Sequence, residues 1–302
     1  MKKKNVLTVI LAFCLVFALA ACGNGGTGST TSSKAASKAE SVASAASKAE
    51  SVASAASKAE STESVPAEKV RKIGIIGAMD EEVEYLAKSL TDSRKTTVGG
   101  MDFYEGKLDG KDVVVVQCGI GKVNAGTCAQ LIINIFGATS VINTGVAGSL
   151  DANIDIGDIV VSTEAIQHDF DLTPLGYEIG ELDEPRIVAM KADETLRKEA
   201  VKAIVEAAPE VKAFEGRVLS GDQFIASKEK KEYLVSTFDG KCCEMEGAAI
   251  SQVCYRNEVP FVIIRAISDK ADDSEEMSYL RFEKEAAAHC AAIVRYMVAN
   301  GE

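Results

Sequence analysis

The sequence predicts a single α/β domain over residues 70–302, with helices on both faces of its β-sheet. Apolar segments of strand length alternate with helical segments across about 230 residues, and this alternation is typical of layered α/β folds. The chain is 47% apolar and 26% charged, so it can bury one large core or two small ones. The alternation favours one domain.

The first predicted strand, Val70–Ile76, ends in the turn Gly77–Met79 and leads into a helix that begins near Asp80. Carboxylates open this helix, whereas a phosphate-binding helix opens with glycines and a lysine. Asp80 and Glu81 are explained as acids that complement the helix dipole. Glu82 could instead face the interior.

A hairpin of Phe103–Leu108 and Val113–Cys118 is predicted next, followed by a helix over Gly119–Phe136 and a strand over Ser140–Thr144. The small residues Gly145–Gly148 predict a turn after this strand. Such a turn could let the backbone approach a ligand closely, or its glycines could be needed only because the turn is tight.

The second half of the domain continues the alternation. We predict a strand at Asp158–Ala165, a helix at Ala192–Ala207, a strand at Gly216–Ser220 and a closing helix at Tyr279–Met297. A polar loop around His168 follows the first of these strands. We expect that single loop histidine to be a surface or capping residue.

Charged residues interrupt the most apolar part of the sequence. The strand Val259–Ile267 is apolar on both faces, yet it contains Arg265 and is followed by Asp269. Upstream, Glu244 and Glu246 stand where the chain would enter an apolar helix. Two interpretations are open: helix-dipole acids with a structural ion pair, or a functional site where these charges meet.

Six blocks of the sequence resemble the 5′-methylthioadenosine/S-adenosylhomocysteine nucleosidase family, which has the purine nucleoside phosphorylase/uridine phosphorylase fold. They occur in the family's order and with similar spacing, from about Arg71 to the C-terminus. The blocks are Ile73–Met79 with Glu82, Gly119–Lys122, Asn143–Gly148, Ser220–Ile225, Glu244–Glu246 and Arg265–Asp269. The resemblance implies a single domain whose mixed central β-sheet is flanked by helices.

The resemblance also implies an activity: hydrolysis of 5′-methylthioadenosine and S-adenosylhomocysteine to adenine and the thioribose product. Glu82 would activate water, Asp269 would protonate adenine N7, and Glu246 would hold the ribose hydroxyls. The substrate-binding residues would be Met79, Ile120, Val146, Ala147, Gly148, Phe224, Ile225, Glu244, Met245, Arg265, Ser268 and Tyr279.

Within that set, the resemblance gives several residues a distinct task. Phe224 would stack on the purine and Ile225 would present its backbone to the base edge. Arg265 and Ser268 would orient the carboxylates. Val146 departs from the family, whose members often have Ser there, and this affects substrate preference rather than the reaction.

The residue types suit N-glycosidic cleavage independently of the resemblance. The sugar becomes oxocarbenium-like and adenine needs a proton on N7 to leave, so the reaction requires an acid at the purine and a base for water. Burial at a strand end would favour protonated Asp269, and a helix N-terminus would keep Glu82 ionised. Neither a metal ion nor a cofactor is required.

Two alternative functions remain open. A phosphate-dependent nucleoside phosphorylase of the same fold needs a cationic phosphate pocket, which that family typically forms with an Arg where this chain has Met79–Glu82. A non-catalytic nucleoside-binding lipoprotein would be expected to lack one of the three carboxylates, and all three are present.

The resemblance further implies a homodimer in which the loop near His168–Pro174 reaches the neighbour's site.

Residues 1–22 resemble a bacterial lipoprotein signal. Lys2–Lys4 precede the apolar segment Val6–Leu19, which is short for a membrane span. Small residues then lead to Cys22, where such signals are cleaved and lipidated. The resemblance implies an extracytoplasmic protein, lipid-anchored to the bacterial cell membrane at Cys22. A plain N-terminal membrane anchor is the alternative.

Residues 23–69 predict a disordered, low-complexity spacer. They contain no aromatic residue, and the ten-residue segment that begins at Ser37 recurs at Ser47. A repeat this polar has no apolar face to bury, so it does not predict a solenoid. A flexible segment of this length would span roughly 35–40 Å.

Charge distinguishes the predicted domain from the segments before it. Residues 70–302 contain 25 basic and 40 acidic residues, which gives a formal charge of −15. This excess of negative charge argues against nucleic acid or an anionic membrane surface as a partner.

Cysteine spacing in the predicted domain favours buried free thiols over disulfides or a metal site. The cysteines lie inside apolar segments, without a CxxC pair or metal-like spacing. They are Cys118, Cys128, Cys242, Cys243, Cys254 and Cys290.

Overall fold

The computed structural model describes residues 71–272 and 275–301, without the side chains of residues 275–281 and 283. The predicted signal and spacer therefore lie outside the described residues, as do Cys22 and the side chain of Tyr279.

Ten strands and six helices form the described part of the chain. The strands are β1 (Ile73–Gly77), β2 (Thr91–Val98), β3 (Met101–Leu108), β4 (Lys111–Gln117), β5 (Ser140–Ser149), β6 (Ile159–Gln167), β7 (Met190–Lys191), β8 (Ala213–Ser220), β9 (Cys242–Glu244) and β10 (Phe261–Asp269). The helices are α1 (Asp80–Lys88), α2 (Lys122–Asn134), α3 (Glu194–Ala207), α4 (Lys228–Phe238), α5 (Gly247–Arg256) and α6 (Glu275–Asn300).

The strands form one mixed sheet that closes on itself at one end. From its free edge the order is β2, β3, β4, β1, β5, with β1 parallel to both β4 and β5. Beyond β1, strand β5 pairs with β10 and β9, and the path β10–β6–β8–β9 returns to β5. Five strands therefore surround a small barrel-like core.

Strand β5 changes its partner along one edge. Its first residues, Ser140–Asn143, pair with β1, and its last, Gly148 and Ser149, pair with β9. The opposite edge pairs with β10 along most of its length. Between Asn143 and Gly148, the first edge is therefore without a strand neighbour among the described residues.

Helices cover both faces of the sheet, as predicted. Apolar side chains of α2 and α5 pack in one core cluster, and those of α1, α3 and α6 pack in another. Strand β10 lies between the two layers and is buried along its entire length. The predicted α/β fold with a mixed, helix-flanked sheet is confirmed.

The predicted turn at Gly145–Gly148 is wrong. These residues continue β5 and pair with residues of β10, with Gly145 opposite Arg265 and Gly148 opposite Asp269. Small residues do not prevent an extended backbone when a neighbouring strand supplies its hydrogen bonds.

Two elements give little sequence signal. Strand β2 is polar and mostly exposed, so its sequence has no apolar pattern that would predict a strand. Its backbone pairing with β3 defines it instead. Helix α4 buries only Leu234 and Phe238, which is too narrow an apolar face to predict a helix with certainty.

The six cysteines of the domain are buried free thiols, as predicted. Burial raises the pKa of five of these thiols, those of Cys118, Cys128, Cys242, Cys254 and Cys290, and brings that of Cys254 to about 12. Among the helices that the structure describes, none is both long and apolar enough to cross a membrane.

Candidate active site

One cavity brings together every predicted site residue whose side chain is described. It lies at the carboxyl ends of the parallel strands β1, β5 and β10, where β9 leads into α5. Ligand sites of open α/β sheets form at such strand ends. The predicted residues in its lining are Met79, Glu82, Ile120, Val146, Ala147, Gly148, Phe224, Ile225, Glu244, Met245, Glu246, Arg265, Ser268 and Asp269.

Glu82 faces the interior from the first turn of α1 and is 1% exposed. Its Oε2 accepts hydrogen bonds from the backbone amides of Ala78 (2.6 Å) and Met79 (3.1 Å), and its Oε1 accepts one from the amide of Val146 (3.1 Å). Asp80 and Glu81, its neighbours in the same turn, are exposed. The helix start thus directs one of its three acids inward.

Burial raises the pKa of Glu82 above its ordinary value. The positive charge of Arg265 and the three amide donors act in the opposite direction, but desolvation outweighs them. The amide donors at the start of α1 favour the ionised form, as expected from the helix N-terminus, but burial has the larger effect on the pKa. A higher pKa makes the ionised carboxylate a stronger base.

Gly145 separates Glu82 from Arg265. A Cβ atom at this position would lie 2.3 Å from Arg265 Nη1 and 2.5 Å from Glu82 Oε1. Both distances are far below van der Waals contact, so only glycine allows these two side chains to approach each other here.

Glu246 forms the N-cap of α5 and is 4% exposed. Its Oε1 accepts the amide of Gly121 at 2.9 Å, and its Oε2 lies 3.6 Å from Arg265 Nη2. Burial, together with the negative charge of nearby Glu244, raises the pKa of Glu246 to about 7.

Arg265 is the central cation of the cavity and is 1% exposed. Its Nη2 donates to Glu244 Oε2 and, at 2.6 Å, to Asn143 Oδ1. Its Nη1 donates to the carbonyl of Val146 at 3.3 Å. The buried charge interrupting an apolar strand is therefore paired and hydrogen-bonded, as buried charges must be.

Glu244 is surrounded by protein donors, although it was assigned to substrate binding by resemblance. Besides Arg265, it accepts the hydroxyl of Ser220 and the backbone amides of Glu246 (3.1 Å) and Gly247 (2.8 Å). These donors occupy both of its oxygens. Glu244 thus lines the cavity and acts mainly on its protein neighbours.

Asp269 ends β10 and is 3% exposed. Its Oδ2 accepts the hydroxyl of Ser268 at 2.8 Å, and its Oδ1 accepts the amide of Ala271 at 3.0 Å. A Cβ at Gly148 would lie 2.6 Å from Oδ1, so the glycine of β5 makes room for this carboxyl.

Apolar side chains form the remaining walls and the mouth of the cavity. Ile120 and Phe224 are 54% and 56% exposed, so they stand at the mouth. The residues that sequence reasoning missed are Ala78, Gln223 and Cys243. Each is adjacent in sequence to a predicted site residue, and this adjacency is the only signal that could have found them.

His168 is buried at 2% exposure, so its assignment as a surface or capping residue is wrong. It follows β6 directly, and its ring packs against the backbone of Gly221. Burial lowers its pKa below the ordinary value. It does not line the cavity.

A second cavity, of about 950 Å³, lies between α1 and α6. Alanines line much of it, and of its two cations, Lys284 and Arg295, the second is already bound by Asp109 at 2.9 Å. It lacks the convergent buried charges of the first cavity, so we assign the chemistry to the first.

The arrangement suits acid–base chemistry on a substrate that develops positive charge. Three buried carboxyls face the cavity without counting Glu244, and Arg265 is the one basic side chain in its described lining. Such a lining favours an oxocarbenium-like sugar and disfavours an inorganic phosphate.

Comparison with known proteins agrees with this geometry. Residues 72–299 match the family described as the phosphorylase superfamily. The 5′-methylthioadenosine/S-adenosylhomocysteine nucleosidase of Shewanella loihica is 43% identical over 224 residues, which cover 74% of this chain and 96% of the relative.

Two crystal structures extend the comparison to ligand complexes. The nucleosidase from Colwellia psychrerythraea in complex with adenine is 40% identical, with a TM-score of 0.73, covering 76% of this chain and 95% of that one. The nucleosidase from Neisseria meningitidis in complex with methylthio-immucillin-A is 38% identical, with a TM-score of 0.73, covering 76% and 99%.

Proposed function

The chain belongs to the phosphorylase superfamily and, within it, to the 5′-methylthioadenosine/S-adenosylhomocysteine nucleosidases, and from this we propose what it does. It is an N-glycosyl hydrolase that cleaves 5′-methylthioadenosine and S-adenosylhomocysteine to adenine and the thioribose product. The observation that carries this proposal is the convergence of Glu82, Glu246 and Asp269 on one cavity.

Glu82 is the general base in this mechanism. Three backbone amides fix its carboxylate, and its raised pKa gives it the basicity to accept a proton from water as water attacks the sugar. Because its pKa is raised, the base is available only above that pKa.

Asp269 is the general acid. Its position at the end of β10, with Ser268 donating to one oxygen, leaves a buried carboxyl facing the cavity. Protonation of adenine N7 by Asp269 turns adenine into a neutral leaving group as the glycosidic bond breaks.

Glu246 holds the ribose. Its carboxylate can accept hydrogen bonds from both ribose hydroxyls, and its negative charge stabilises the positive charge that develops on the sugar. Apolar side chains at the mouth, Ile120 and Phe224, supply surface for the 5′ substituent and the purine.

The acidic loop Met79–Glu82 supports hydrolysis over phosphorolysis. A phosphorylase must bind a phosphate anion near the sugar, and carboxylates at that place repel it. The test is adenine release by the purified protein with and without phosphate. Equal rates with free 5-methylthioribose as product are expected, and a strict phosphate requirement with a sugar 1-phosphate product would overturn the proposal.

We also propose that the mature protein is anchored to the outer side of the bacterial cell membrane through lipid at Cys22. The support is the basic, apolar and small-residue pattern of residues 1–22. The spacer over residues 23–69 would then hold the enzyme away from the membrane.

A homodimer is proposed as the working form. The family resemblance supports it, and large apolar side chains stand exposed on α2, on α5 and on the loop after β6. They include Val123, Tyr255 and Leu175. Sedimentation velocity of the purified protein tests this, and a monomer at micromolar concentration would contradict it.

A further inference from the structure

The hydroxyl of Ser220 occupies a fixed place at the end of β8. Ser220 is fully buried, its Oγ accepts the amide of Ala248 at 2.7 Å, and it donates its single proton to Glu244 Oε1. A hydroxyl has only one proton to donate. With the amide on one lone pair, that proton is directed at Glu244.

Glu244 in turn fixes the position of Arg265 by a hydrogen bond. Its Oε1 accepts the Ser220 hydroxyl and its Oε2 accepts Arg265 Nη2 and the amide of Glu246 (3.1 Å), while the amide of Gly247 lies 2.8 Å from Oε2 and 3.0 Å from Oε1. The Ser220 hydroxyl is thus the side-chain donor that holds Oε1 while Oε2 faces Arg265. Charge-assisted hydrogen bonds of this kind are strong and directional. Rotation of the Glu244 carboxylate would therefore move the guanidinium.

Arg265 in turn stands between the two carboxylates of the proposed mechanism. Its Nη1 and Glu82 Oε1 both approach the backbone of Gly145, and its Nη2 lies 3.6 Å from Glu246 Oε2. We propose that Ser220 is a positioning residue that, by orienting Glu244, holds Arg265 between Glu82 and Glu246. This inference rests on the proposed function in one respect: it takes Glu82 as the general base and Glu246 as the carboxylate that binds the ribose.

The electrostatics of the site give the inference a measurable consequence. Burial raises the pKa of both carboxyls, and the charge of Arg265 lowers it again. Among charged side chains, Arg265 has the largest effect on the pKa of Glu82, whereas the pKa of Glu246 is also raised by Glu244 and Glu82. Displacing Arg265 should thus raise the pKa of Glu82.

The test is Ser220→Ala, with Ser251→Ala as its control. Ser251 is also fully buried, and its hydroxyl donates to the carbonyl of Gly247 at 2.7 Å without touching Glu244 or Arg265. Ser220→Ala should lower kcat about 10-fold or more with KM within about twofold, and should move the acid limb of the pH–kcat/KM profile to higher pH. Ser251→Ala should leave both unchanged.

A readout that does not need hydrolysis separates this inference from the proposed function. Titration of ¹³C-labelled glutamate carboxyls by NMR in the ligand-free protein should show a higher pKa for Glu82 in Ser220→Ala than in the wild type. If wild-type protein releases no adenine, the proposed function fails, and this titration still decides the role of Ser220.

Folding of the variants is checked by circular dichroism. If Ser220→Ala does not fold, Ser220→Cys provides a side chain of similar shape with a weaker donor, and the same shifts in the same direction are expected at smaller size. A kcat, pH profile and Glu82 titration in the Ser220 variant that match those of Ser251→Ala would overturn the inference.

Discussion

Arg265 and Glu82 approach each other across the backbone of Gly145, with no room for a side chain between them. This close approach relates the middle of β10 to the first turn of α1 through β5. It places the cation of the cavity near the carboxyl whose pKa burial raises, and its charge partly offsets that rise. Several consequences can be measured.

Substitution of Gly145 should abolish turnover. In Gly145→Ala the new Cβ would lie 2.3 Å from Arg265 Nη1, so the guanidinium and Glu82 must move apart. We expect kcat to fall by at least about 100-fold, because positioning errors of this size are costly. The control is Gly126→Ala in α2, whose Cβ would meet only Val253 at 3.9 Å. Equal adenine release by both variants would show that the close approach of Arg265 and Glu82 beside Gly145 does not matter for turnover.

Asp269→Asn should lose turnover and retain binding. An amide cannot deliver a proton to N7, so kcat should fall on the order of 10²–10⁴-fold. Calorimetry with an adenosine analogue should give a nearly unchanged Kd. Asp102→Asn, at a half-buried position on β3 away from the cavity, serves as the control. Near-wild-type turnover in Asp269→Asn would reject its role as general acid.

Glu82→Gln should bind substrate without hydrolysing it, because an amide cannot accept the proton of water. We expect a loss of kcat on the order of 10²–10⁴-fold, measured by adenine release. Glu81→Gln changes the adjacent, exposed acid of the same helical turn and should be nearly wild type. If the two variants behave alike, Glu82 is a structural acid.

Glu246 should make the ligand-free protein less stable as pH rises. Its pKa is raised from 4.5 to about 7 in the folded state, so its favourable contribution is complete below pH 4.5 and is lost as pH increases through 7. The loss is on the order of 3 kcal/mol. Thermal unfolding at several pH values should show a smaller decline in Glu246→Gln.

Kinetics of the same Glu246→Gln variant distinguish it from the other two. Because the amide weakens the grip on the ribose and removes a favourable charge, both KM and kcat should deteriorate. A variant that loses only kcat would show that Glu246 does not bind the ribose.

Cys22→Ala should abolish lipid labelling. Cells grown with a labelled fatty acid should label the wild-type chain and not the variant, and protease added to intact cells should release the wild-type enzyme by cleavage within residues 23–69. Wild-type protein that stays in the soluble cytoplasm and retains Met1 would refute the lipid anchor.

The charged members of the site could be predicted from the residues because charge in an apolar segment is costly, whereas its apolar lining was predicted only through the family resemblance. Arg265 interrupts a strand that is buried on both faces, and Glu82 follows a strand and a glycine turn. The same reasoning could not find the donors to Glu244, since hydrogen bonds from Ser220 and Gly247 depend on how distant segments meet.

Where the sequence prediction failed, tertiary contacts decided the outcome. Gly145–Gly148 has the composition of a turn, yet pairing with β10 keeps it extended. His168 has the surroundings of a surface loop, yet it packs under Gly221.

The change of partner along β5 has a consequence for how this enzyme can vary. Where β1 ends and β9 has not yet begun, the Val146 amide and carbonyl bind Glu82 and Arg265, which take the place of a missing strand. The chemistry is thus tied to strand register. Inserting or deleting one residue in β5 would turn these groups toward β10, whereas loops at the mouth can change length and alter substrate preference without disturbing catalysis.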